Sequence, residues 1–463
     1  MTTTSQGQLR ASFARRLSEM YGREVPAYTT LVEVSREVNE DVLRTRGASA
    51  QRLGSIDRVT EERHGAIRVG TPAELRDVAR IFGALGMMPV GFYDLREAAA
   101  NAVPVVSTAF RPIDPGELAD NPFRVFTSLL TTADPRFFDA DLQQRLETFL
   151  AGRTLFPPEL LELADRAERD RALALEDAQR FLDLAVGAFE LSTEPVDQAW
   201  YAELERVSAV AADIGGVRST HVNHLTPRVL DIDELYRRMS ARGIEMIDTI
   251  QGPPRWDGPD VLLRQTSFRA LAEPRRLCGA DGTVFEGSLR VRFGEVEARG
   301  IALTPAGRQR YDDLLVRVEK QLREEPEADR ADVLRGTWAS GFPASEDSLR
   351  EEDLAYFTYR VAADRPRGLP PAGLAALQRQ GWLHAEPIVY EDFLPRSAAG
   401  IFQSNLTGSG TRDDRQQGLA YDADRLAAIM DRPVNDPFAL YEQQRAASIA
   451  AANKVLGSRA IEA

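Results

Sequence analysis

The chain has 463 residues, with 57 Lys and Arg against 71 Asp and Glu, which gives a formal net charge of −14. Nucleic acids and anionic membrane surfaces are bound by clustered positive charge, so this balance argues against both as main partners. The single cysteine, Cys278, excludes an intramolecular disulfide and a cysteine-based metal site within one chain. No apolar run reaches the ~18–20 residues of a membrane span, and we expect a cytoplasmic protein.

The N-terminal part of the chain shows helical patterns followed by strand patterns. Apolar residues recur at helical spacing over 8–21, 28–44 and 72–85. The third of these helices starts with Thr71 as the capping residue and Pro72 at the first helical position. Short strand-like segments then follow at 87–95, 103–110 and 124–130.

The rest of the chain divides into regions of different character. Residues 135–191 are strongly helical and charged, and one further helix is predicted over 196–214. Short apolar stretches alternate with turns from 218 to 304, and they include a strand of period 2 that continues from Leu289 to Arg299. Charged helices return at 308–324 and 423–454.

This order predicts an α+β fold, in which a sheet or half-barrel made of two separated strand sets is surrounded by helices. We expect a single large unit over 1–463. Residues 24–134 and 215–310 contribute the main strands, 135–214 form a helical insertion, and 311–463 form a helical region with a turn near 388–405.

The chain has only four histidines, so each is a separate candidate for chemistry. His64 and Arg68 are four residues apart on a predicted strand and therefore share a face. The alternative for His64 is a solvated side chain on a strand edge. His384 has no polar neighbour in sequence that would suggest a site, and we expect it to be structural.

His221 and His224 form a His-x-x-His pattern, which by itself is weak. On a helix both rings would share a face, whereas on a strand they point oppositely and only one reaches a site. Polar neighbours and Pro227 favour a strand entering a loop. A plain surface loop remains the alternative.

Glu295 and Glu297 lie two residues apart on a predicted strand and so share a face. If that face continues the one formed by Leu289, Val291 and Phe293, both carboxylates point inward and are costly to bury. Arg299, the histidines or a metal would offset that cost. Two histidines and one carboxylate on β-structure form the facial triad of non-haem Fe(II) sites. The alternative is a twisted edge strand whose carboxylates face water.

Several arginines occupy short strand-like or turn segments and could bind an anionic substrate, because a guanidinium is the bidentate partner of a carboxylate. They are Arg68, Arg228, Arg264, Arg269 and Arg396. We expect one or two of them to touch ligand, and the alternative is that most form ordinary surface salt bridges.

Four motifs resemble the 2-oxoadipate dioxygenase/decarboxylase family, also called hydroxyglutarate synthase. They lie at Thr220–Arg228, Gln265–Ala270, Arg292–Thr304 and Tyr390–Pro395. The resemblance runs from about Tyr28 to Lys454. It implies a divergent vicinal-oxygen-chelate fold, a cupped sheet around one metal. It also implies conversion of 2-oxoadipate, from lysine breakdown, and O₂ into (R)-2-hydroxyglutarate and CO₂ on Fe(II).

The resemblance also implies roles for individual residues. His64, His224 and Glu295 would be the catalytic metal ligands, with Glu297 as the alternative to Glu295. Arg68 would meet a substrate carboxylate. Arg396 and Ser397 match a substrate-lining turn, although an apolar residue commonly stands where this chain has Arg396.

Other activities remain open for the same residues. A hydrolase or isomerase could use two histidines and a glutamate with Zn²⁺ or Mn²⁺, and it would turn over without O₂. A non-catalytic sensor of 2-oxo acids could keep the pocket without iron. For the oxygenase we expect activity to fall on the acid side as His64 and His224 become protonated, because metal ligation needs neutral imidazoles.

Overall fold

The computed structural model describes residues 2–97, 102–290, 292–394, 412–413 and 415–457. Its strands are β1 (Thr3–Ser5), β2 (Arg63–Val69), β3 (Met88–Asp94), β4 (Val105–Arg111), β5 (Arg124–Leu130), β6 (Ala172–Ala174), β7 (Val196–Asp197), β8 (His224–Pro227), β9 (Leu263–Ser267), β10 (Glu273–Cys278), β11 (Val284–Leu289), β12 (Glu295–Arg299), β13 (Phe357–Val361) and β14 (Leu383–Pro387).

The helices surround these strands along the whole chain. They are α1 (Gln6–Glu24), α2 (Pro26–Arg46), α3 (Ile56–Glu61), α4 (Pro72–Ala84), α5 (Pro115–Asp120), α6 (Ala140–Ala151), α7 (Pro158–Asp170), α8 (Leu175–Gly187), α9 (Gln198–Val207), α10 (Ala209–Gly215), α11 (Ile232–Ala241), α12 (Pro305–Glu324), α13 (Arg330–Gly341), α14 (Glu346–Glu351), α15 (Leu374–Arg379), α16 (Ala423–Met430) and α17 (Pro437–Leu456). In the described part of the chain, no helix is both long and apolar enough to cross a membrane.

The first half of the central sheet is a βαβββ unit. Its elements β2, α4, β3, β4 and β5 occur in this order in the chain, with the short helix α5 between β4 and β5, and the strands lie in the order β3-β4-β5-β2. β2 is parallel to β5, and β4 is antiparallel to both of its neighbours. α4 begins as predicted, because the Thr71 hydroxyl accepts from the Glu74 amide and the Glu74 carboxylate accepts from the Thr71 amide.

A second unit repeats this strand order. β8 continues at Arg228, which bridges in parallel to Glu297 of β12, and β12 is antiparallel to β9. The segment after α11 bridges to the far side of β9 through Met246 and Gln251. The hairpin of β10 and β11 is inserted between β9 and β12. Each unit therefore pairs its first strand in parallel with its last one.

The two units join where β2 pairs antiparallel with β8, and together they form a cup. Strands are about 4.8 Å apart, so β2 and β12, with β8 between them, would lie about 10 Å apart in a flat sheet. The His64 side chain on β2 and the Glu295 side chain on β12 span this separation and approach to 3.6 Å on one face of the sheet. The predicted α+β class is confirmed.

Two hydrophobic cores support the cup. In the larger one, Phe82 of α4 is centred 5.1 Å from Phe110 of β4 and 6.2 Å from Phe189, which lies just after α8. Phe13 of α1 is centred 6.1 Å from Phe189. The smaller core surrounds Trp338, whose ring is centred 5.4 Å from that of Tyr311. It includes β13 and β14, a hairpin that the sequence pattern of the C-terminal region does not predict.

Three predicted elements are corrected by the structure. The helix over 196–214 is interrupted, because Ser208 is extended and its hydroxyl accepts from the Val210 amide, which starts α10 anew. The strand from Leu289 to Arg299 is two strands with different partners, since β11 pairs with β10 and β12 with β9. The helix over 423–454 is two helices, because α16 ends at Met430 and the capping residue Asp431 has a left-handed φ of 54°.

Candidate metal centre

His64, His224 and Glu295 come together on one face of the sheet. In the β2–β8 register Ala66 lies opposite His224, so His64, two residues before Ala66, points to the same side as His224. The two imidazole rings are centred 5.4 Å apart and stand nearly perpendicular. Glu295 is the first residue of β12. This strand lies beside the continuation of β8, where Arg228 bridges to Glu297. Each side chain is thus placed by strand pairing.

The three side chains present a compact set of donor atoms. His64 Nε2 lies 3.6 Å from Glu295 Oε1, and His224 Nε2 lies 3.5 Å from Glu295 Oε2. One possible ligand atom from each residue lies within 4.8 Å of the others, and all three residues are buried. Two imidazole nitrogens and a carboxylate oxygen form the 2-His-1-carboxylate donor set, which leaves coordination positions open for substrate.

The electrostatic surroundings shift the pKa values of the two histidines in opposite directions. Burial lowers the pKa of His64, but Glu297 and Glu295 outweigh it, and the pKa stays above its usual value. Burial, His64 and Arg68 hold the pKa of His224 well below its usual range. Protonation of His64 is therefore the event that competes with metal binding on the acid side.

Glu297, the alternative ligand, points away from the shared donor cluster toward the other side of the His64 ring. Its Oε2 lies 2.9 Å from His64 Nδ1. Arg299 donates from Nε and Nη2 to the two Glu297 oxygens, at 2.6 and 2.9 Å. Burial raises the pKa of Glu297, but Arg299 and His64 bring it down to about 2. The expectation that Arg299 and a histidine offset the cost of buried carboxylates is confirmed.

A lattice of arginines and glutamates, all buried except the partly exposed Arg58, supports this face. Its members are Arg58, Arg124, Arg228, Arg299, Glu62, Glu297 and Glu391. Arg124 contacts Glu62 at 2.7 Å and also pairs with Glu391, while Arg228 donates to Glu62 at 2.8 Å. Each charge is thus matched by opposite charges, which offsets its desolvation cost.

Arg68 lies on the same face of β2 as His64, and its charge is already engaged by a protein carboxylate. It donates to Asp213 on α10, which also accepts from Asn223 Nδ2 at 2.8 Å and lies 3.3 Å from His221 Nε2. Burial raises the pKa of Asp213, but His221 and Arg68 outweigh it, and the net result is a pKa below the usual range. The anionic carboxylate of Asp213 therefore orients the guanidinium of Arg68.

Aromatic side chains enclose the histidines. Phe293 stacks on His224 with ring centroids 5.1 Å apart, and Phe393 meets the His64 ring edge-on at 5.0 Å. Phe393 also contacts Phe126 at 5.1 Å. These rings exclude water from the buried side of the donor cluster and hold the imidazoles in place.

The remaining predicted residues are not part of this cluster. His221 contacts Asp213 instead, and His384 is an exposed residue of β14. Arg264 pairs with Asp233, and Arg269 pairs with Glu245 and Asp248 in partly or fully exposed positions, as the surface salt-bridge alternative predicts. Arg396 and Ser397 lie outside the described residues.

Sequence reasoning missed Asp213, Phe393 and most of the arginine–glutamate lattice. One signal for Asp213 was available, since it is a lone carboxylate in the apolar stretch of α10. Phe393 lies inside the Tyr390–Pro395 motif, but its contact with His64 depends on how that segment crosses the sheet.

Comparison with known families identifies the chain. The family model described as 2-oxoadipate dioxygenase/decarboxylase matches residues 13–405. The chain belongs to this family. A 2-oxoadipate dioxygenase/decarboxylase from Mycobacterium bovis is 58% identical over 436 residues, which cover 94% of this chain and 96% of that protein. The family predicted from the motifs is thereby confirmed.

A second relative and a solved structure support the same family. A 2-oxoadipate dioxygenase/decarboxylase from Pseudomonas putida is 41% identical over 466 residues, covering 98% of this chain and 97% of that one. The crystal structure of the hydroxyglutarate synthase from Pseudomonas putida in complex with 2-oxoadipate superimposes with a TM-score of 0.84 and 37% identity. It covers 99% of this chain and 100% of the other.

Proposed function

We propose that the protein is an Fe(II)-dependent dioxygenase that converts 2-oxoadipate and O₂ into (R)-2-hydroxyglutarate and CO₂. The observation that carries the proposal is the buried cluster of His64, His224 and Glu295. It occurs in a chain whose relatives are named for this activity over nearly their full length. Lysine catabolism, as the source of the substrate, and a cytoplasmic location are parts of the same proposal.

The donor set fits a divalent metal of the iron type. Two Nε2 atoms and one carboxylate are the ligands of non-haem Fe(II) oxygenases, whereas a closed structural zinc site has four protein ligands. The bound metal would supply the open positions at which a 2-oxo acid and O₂ react. In this proposal His64, His224 and Glu295 hold the metal, while Phe293 and Phe393 keep bulk water away from it.

The chain's own residues would orient the substrate. 2-Oxoadipate has a second carboxylate at the far end of its carbon chain, and Arg68 is the buried cation on the histidine face of β2. Asp213 holds one edge of that guanidinium, so its direction is set before substrate arrives. A fixed distal carboxylate determines which carbon lies at the reacting centre. Arg396 and Ser397 remain predicted substrate contacts.

Oxygen uptake tests the proposal. The protein is reconstituted with Fe(II) without air, given 2-oxoadipate, and then exposed to O₂. We expect one O₂ consumed per substrate, with equal amounts of CO₂ and (R)-2-hydroxyglutarate, since these products contain all the atoms of both reactants. Glu295→Gln removes a ligand and should abolish uptake, whereas His384→Gln, an exposed position, should retain it.

Two outcomes would contradict the proposal. Turnover of a carboxylated substrate without O₂ would identify a metal-dependent hydrolase or isomerase. Binding of 2-oxoadipate without turnover, unchanged by Glu295→Gln, would identify a sensor.

A further inference from the structure

Arg275 differs from the other buried arginines of the described residues, because it forms no ion pair with a carboxylate there. The others each pair with Asp or Glu, and they are Arg10, Arg68, Arg96, Arg111, Arg124, Arg136, Arg228, Arg292 and Arg299. Arg275 is 7% exposed and donates from Nη1 to the carbonyl of Ser192 at 2.7 Å. Its Nε is buried without a hydrogen-bond partner in the described part of the chain. A guanidinium in this position carries a desolvation cost that a carboxylate would offset.

The strand pattern explains why Arg275 is buried without a carboxylate partner. Alternate residues of β10 are buried, and Glu273 and Arg275 lie on the buried side. Glu273 is bound by Arg292 instead, whose Nε and Nη2 donate to its oxygens at 2.6 to 3.0 Å. Burial lowers the pKa of Arg275, because it disfavours the charged form and Glu273 compensates only in part.

Arg275 lines a cavity of about 320 Å³, which we call the Arg275 cavity. Its wall is formed by residues of the segment 192–200, by 216–219, and by Phe149, Arg275 and Cys278. His64, His224 and Glu295 are not part of this wall, so the cavity is separate from the candidate metal centre. Ligand pockets of proteins have volumes of about 300–1,000 Å³, and this cavity therefore has room for a small molecule.

One part of the wall is aromatic. Phe149 of α6 and Trp200 of α9 have their ring centroids 6.1 Å apart, and both side chains are partly exposed. The indole Nε1 of Trp200 donates to the carbonyl of Gly215 at 2.9 Å, which fixes the ring. The guanidinium of Arg218 lies 5.3 Å from the Phe149 centroid and adds a second cation to the wall. An apolar surface thus adjoins the positive charges.

The acidic residues of the wall limit the charge of a ligand. Glu194 and Asp197 line the Arg275 cavity in exposed positions. A ligand with two negative charges would be repelled by them, whereas a single carboxylate can pair with Arg275. This charge pattern disfavours a dianion such as 2-oxoadipate.

We propose that the Arg275 cavity is a second binding site of this protein, which takes a small monocarboxylate with an apolar body. The carboxylate pairs with the fork of Arg275, and the apolar body packs on Phe149 and Trp200. The bound anion supplies the opposite charge that the other buried arginines obtain from the protein. This inference does not rest on the proposed function, because it involves neither the metal ligands nor the oxygenase reaction.

The single cysteine of the chain reports on binding, because Cys278 lies in the wall of the Arg275 cavity and is partly exposed. The probe is 3-phenylpropionate, and its uncharged counterpart 3-phenylpropanamide has nearly the same shape. The rate of Cys278 alkylation by iodoacetamide is followed by mass spectrometry at increasing probe concentration, and calorimetry measures Kd. We expect 3-phenylpropionate to slow alkylation until the site is saturated. The amide should bind roughly 10- to 100-fold more weakly, because it lacks the charged hydrogen bonds to Arg275.

Three variants test the role of the Arg275 charge. Arg275→Gln should weaken 3-phenylpropionate binding roughly 10- to 100-fold, and Arg275→Lys should recover part of the affinity. Arg269→Gln is the matched control, because Arg269 lies outside the cavity wall and pairs with Glu245 and Asp248. It should bind the probe as the parent does. Circular dichroism and thermal unfolding establish that each variant is folded.

Three results would overturn the proposal. They are alkylation that 3-phenylpropionate does not slow, equal protection by the acid and the amide, and parent-like affinity in folded Arg275→Gln. If Arg275→Gln does not fold, the comparison of acid and amide on the parent protein still decides the question. A failed oxygen-uptake assay with these results intact would refute the proposed reaction and leave this second site standing.

Discussion

Arg68 illustrates how neighbouring residues determine what a single side chain can do. It is buried on the histidine face of β2, and Asp213 from α10 accepts from one edge of its guanidinium. Asp213 is in turn held by Asn223 and His221. Because this anion already balances the charge, Arg68 can remain in a buried site without substrate. A substrate carboxylate would then share a guanidinium whose orientation is already fixed.

Arg68→Lys should weaken recognition of the distal carboxylate, because lysine lacks the planar fork of donors. A hydrogen bond to a charged group contributes about 1.5–3 kcal/mol, so KM for 2-oxoadipate should rise roughly 10- to 100-fold. The control substrate is 2-oxohexanoate, which has the same carbon number and no distal carboxylate. The ratio of kcat/KM between the two substrates measures the effect. A variant that keeps the parent's ratio would exclude Arg68 from this contact.

At the scale of elements, the segment 390–394 is fixed by ion pairs although it has no regular secondary structure. Glu391 pairs with Arg58 and Arg124, and Asp392 accepts from Arg111 at 2.8 and 3.2 Å. The result is that Phe393 lies against His64. Ion pairs, rather than strand pairing, therefore position the Phe393 ring beside the candidate metal centre.

Because Glu391 forms these ion pairs, the free energy of unfolding should fall at acid pH. Burial raises the pKa of Glu391, but Arg58 and Arg124 bring it down to about 2. A pKa lowered on folding contributes stability above the unfolded value of about 4.3, and that contribution is lost as pH falls toward the folded value. The free energy of unfolding, measured in urea at several pH values, should therefore fall in this window.

Glu391→Gln isolates the contribution of this carboxylate. Removing one partner from a buried ion pair costs about 3–5 kcal/mol, and we expect that loss at neutral pH. The difference from the parent should shrink as the pH approaches the folded pKa, because Glu391 then loses its charge as well. Glu159→Gln, in an exposed pair with Arg180, is the control and should change stability little. A difference that is constant with pH would contradict this account.

At the scale of the whole molecule, the donor cluster connects the two βαβββ units. His64 belongs to the first strand of one unit, His224 to the first strand of the other, and Glu295 to the last strand of that second unit. A metal bound by all three would crosslink both halves of the cup. It would bind the folded chain in preference to the unfolded chain, in which the donors are far apart.

Metal binding should therefore raise the stability of the whole fold. At a free metal concentration of 100 times Kd the expected gain is about 2.7 kcal/mol. Thermal unfolding of the metal-free protein with increasing Mn²⁺ measures it, and excess chelator should reverse the shift. Glu295→Gln should lose most of the gain, while His384→Gln should keep it. An unfolding temperature that does not respond to metal in the parent would contradict a site formed by His64, His224 and Glu295.

The sequence by itself determined the helices and strands with clear periodicity, the α+β class, the family, and the candidate residues His64, His224 and one of the pair Glu295 and Glu297. These depend on local patterns or on motifs that can be read along the chain. The division into domains remains a prediction. Alternation along a strand showed that Glu295 and Glu297 share a face, but it left open which of them joins the histidines.

Only the tertiary structure decided that question. The pairing of β12 with β9 and with the continuation of β8 places Glu295 between the two Nε2 atoms and Glu297 behind His64. Asp213 and Phe393 likewise gain their roles from contacts with β2, which is distant from them in sequence. Periodicity in a single segment shows which residues share a face and so restricts the register. It does not show which distant strand lies beside that segment, because this depends on how the whole chain packs.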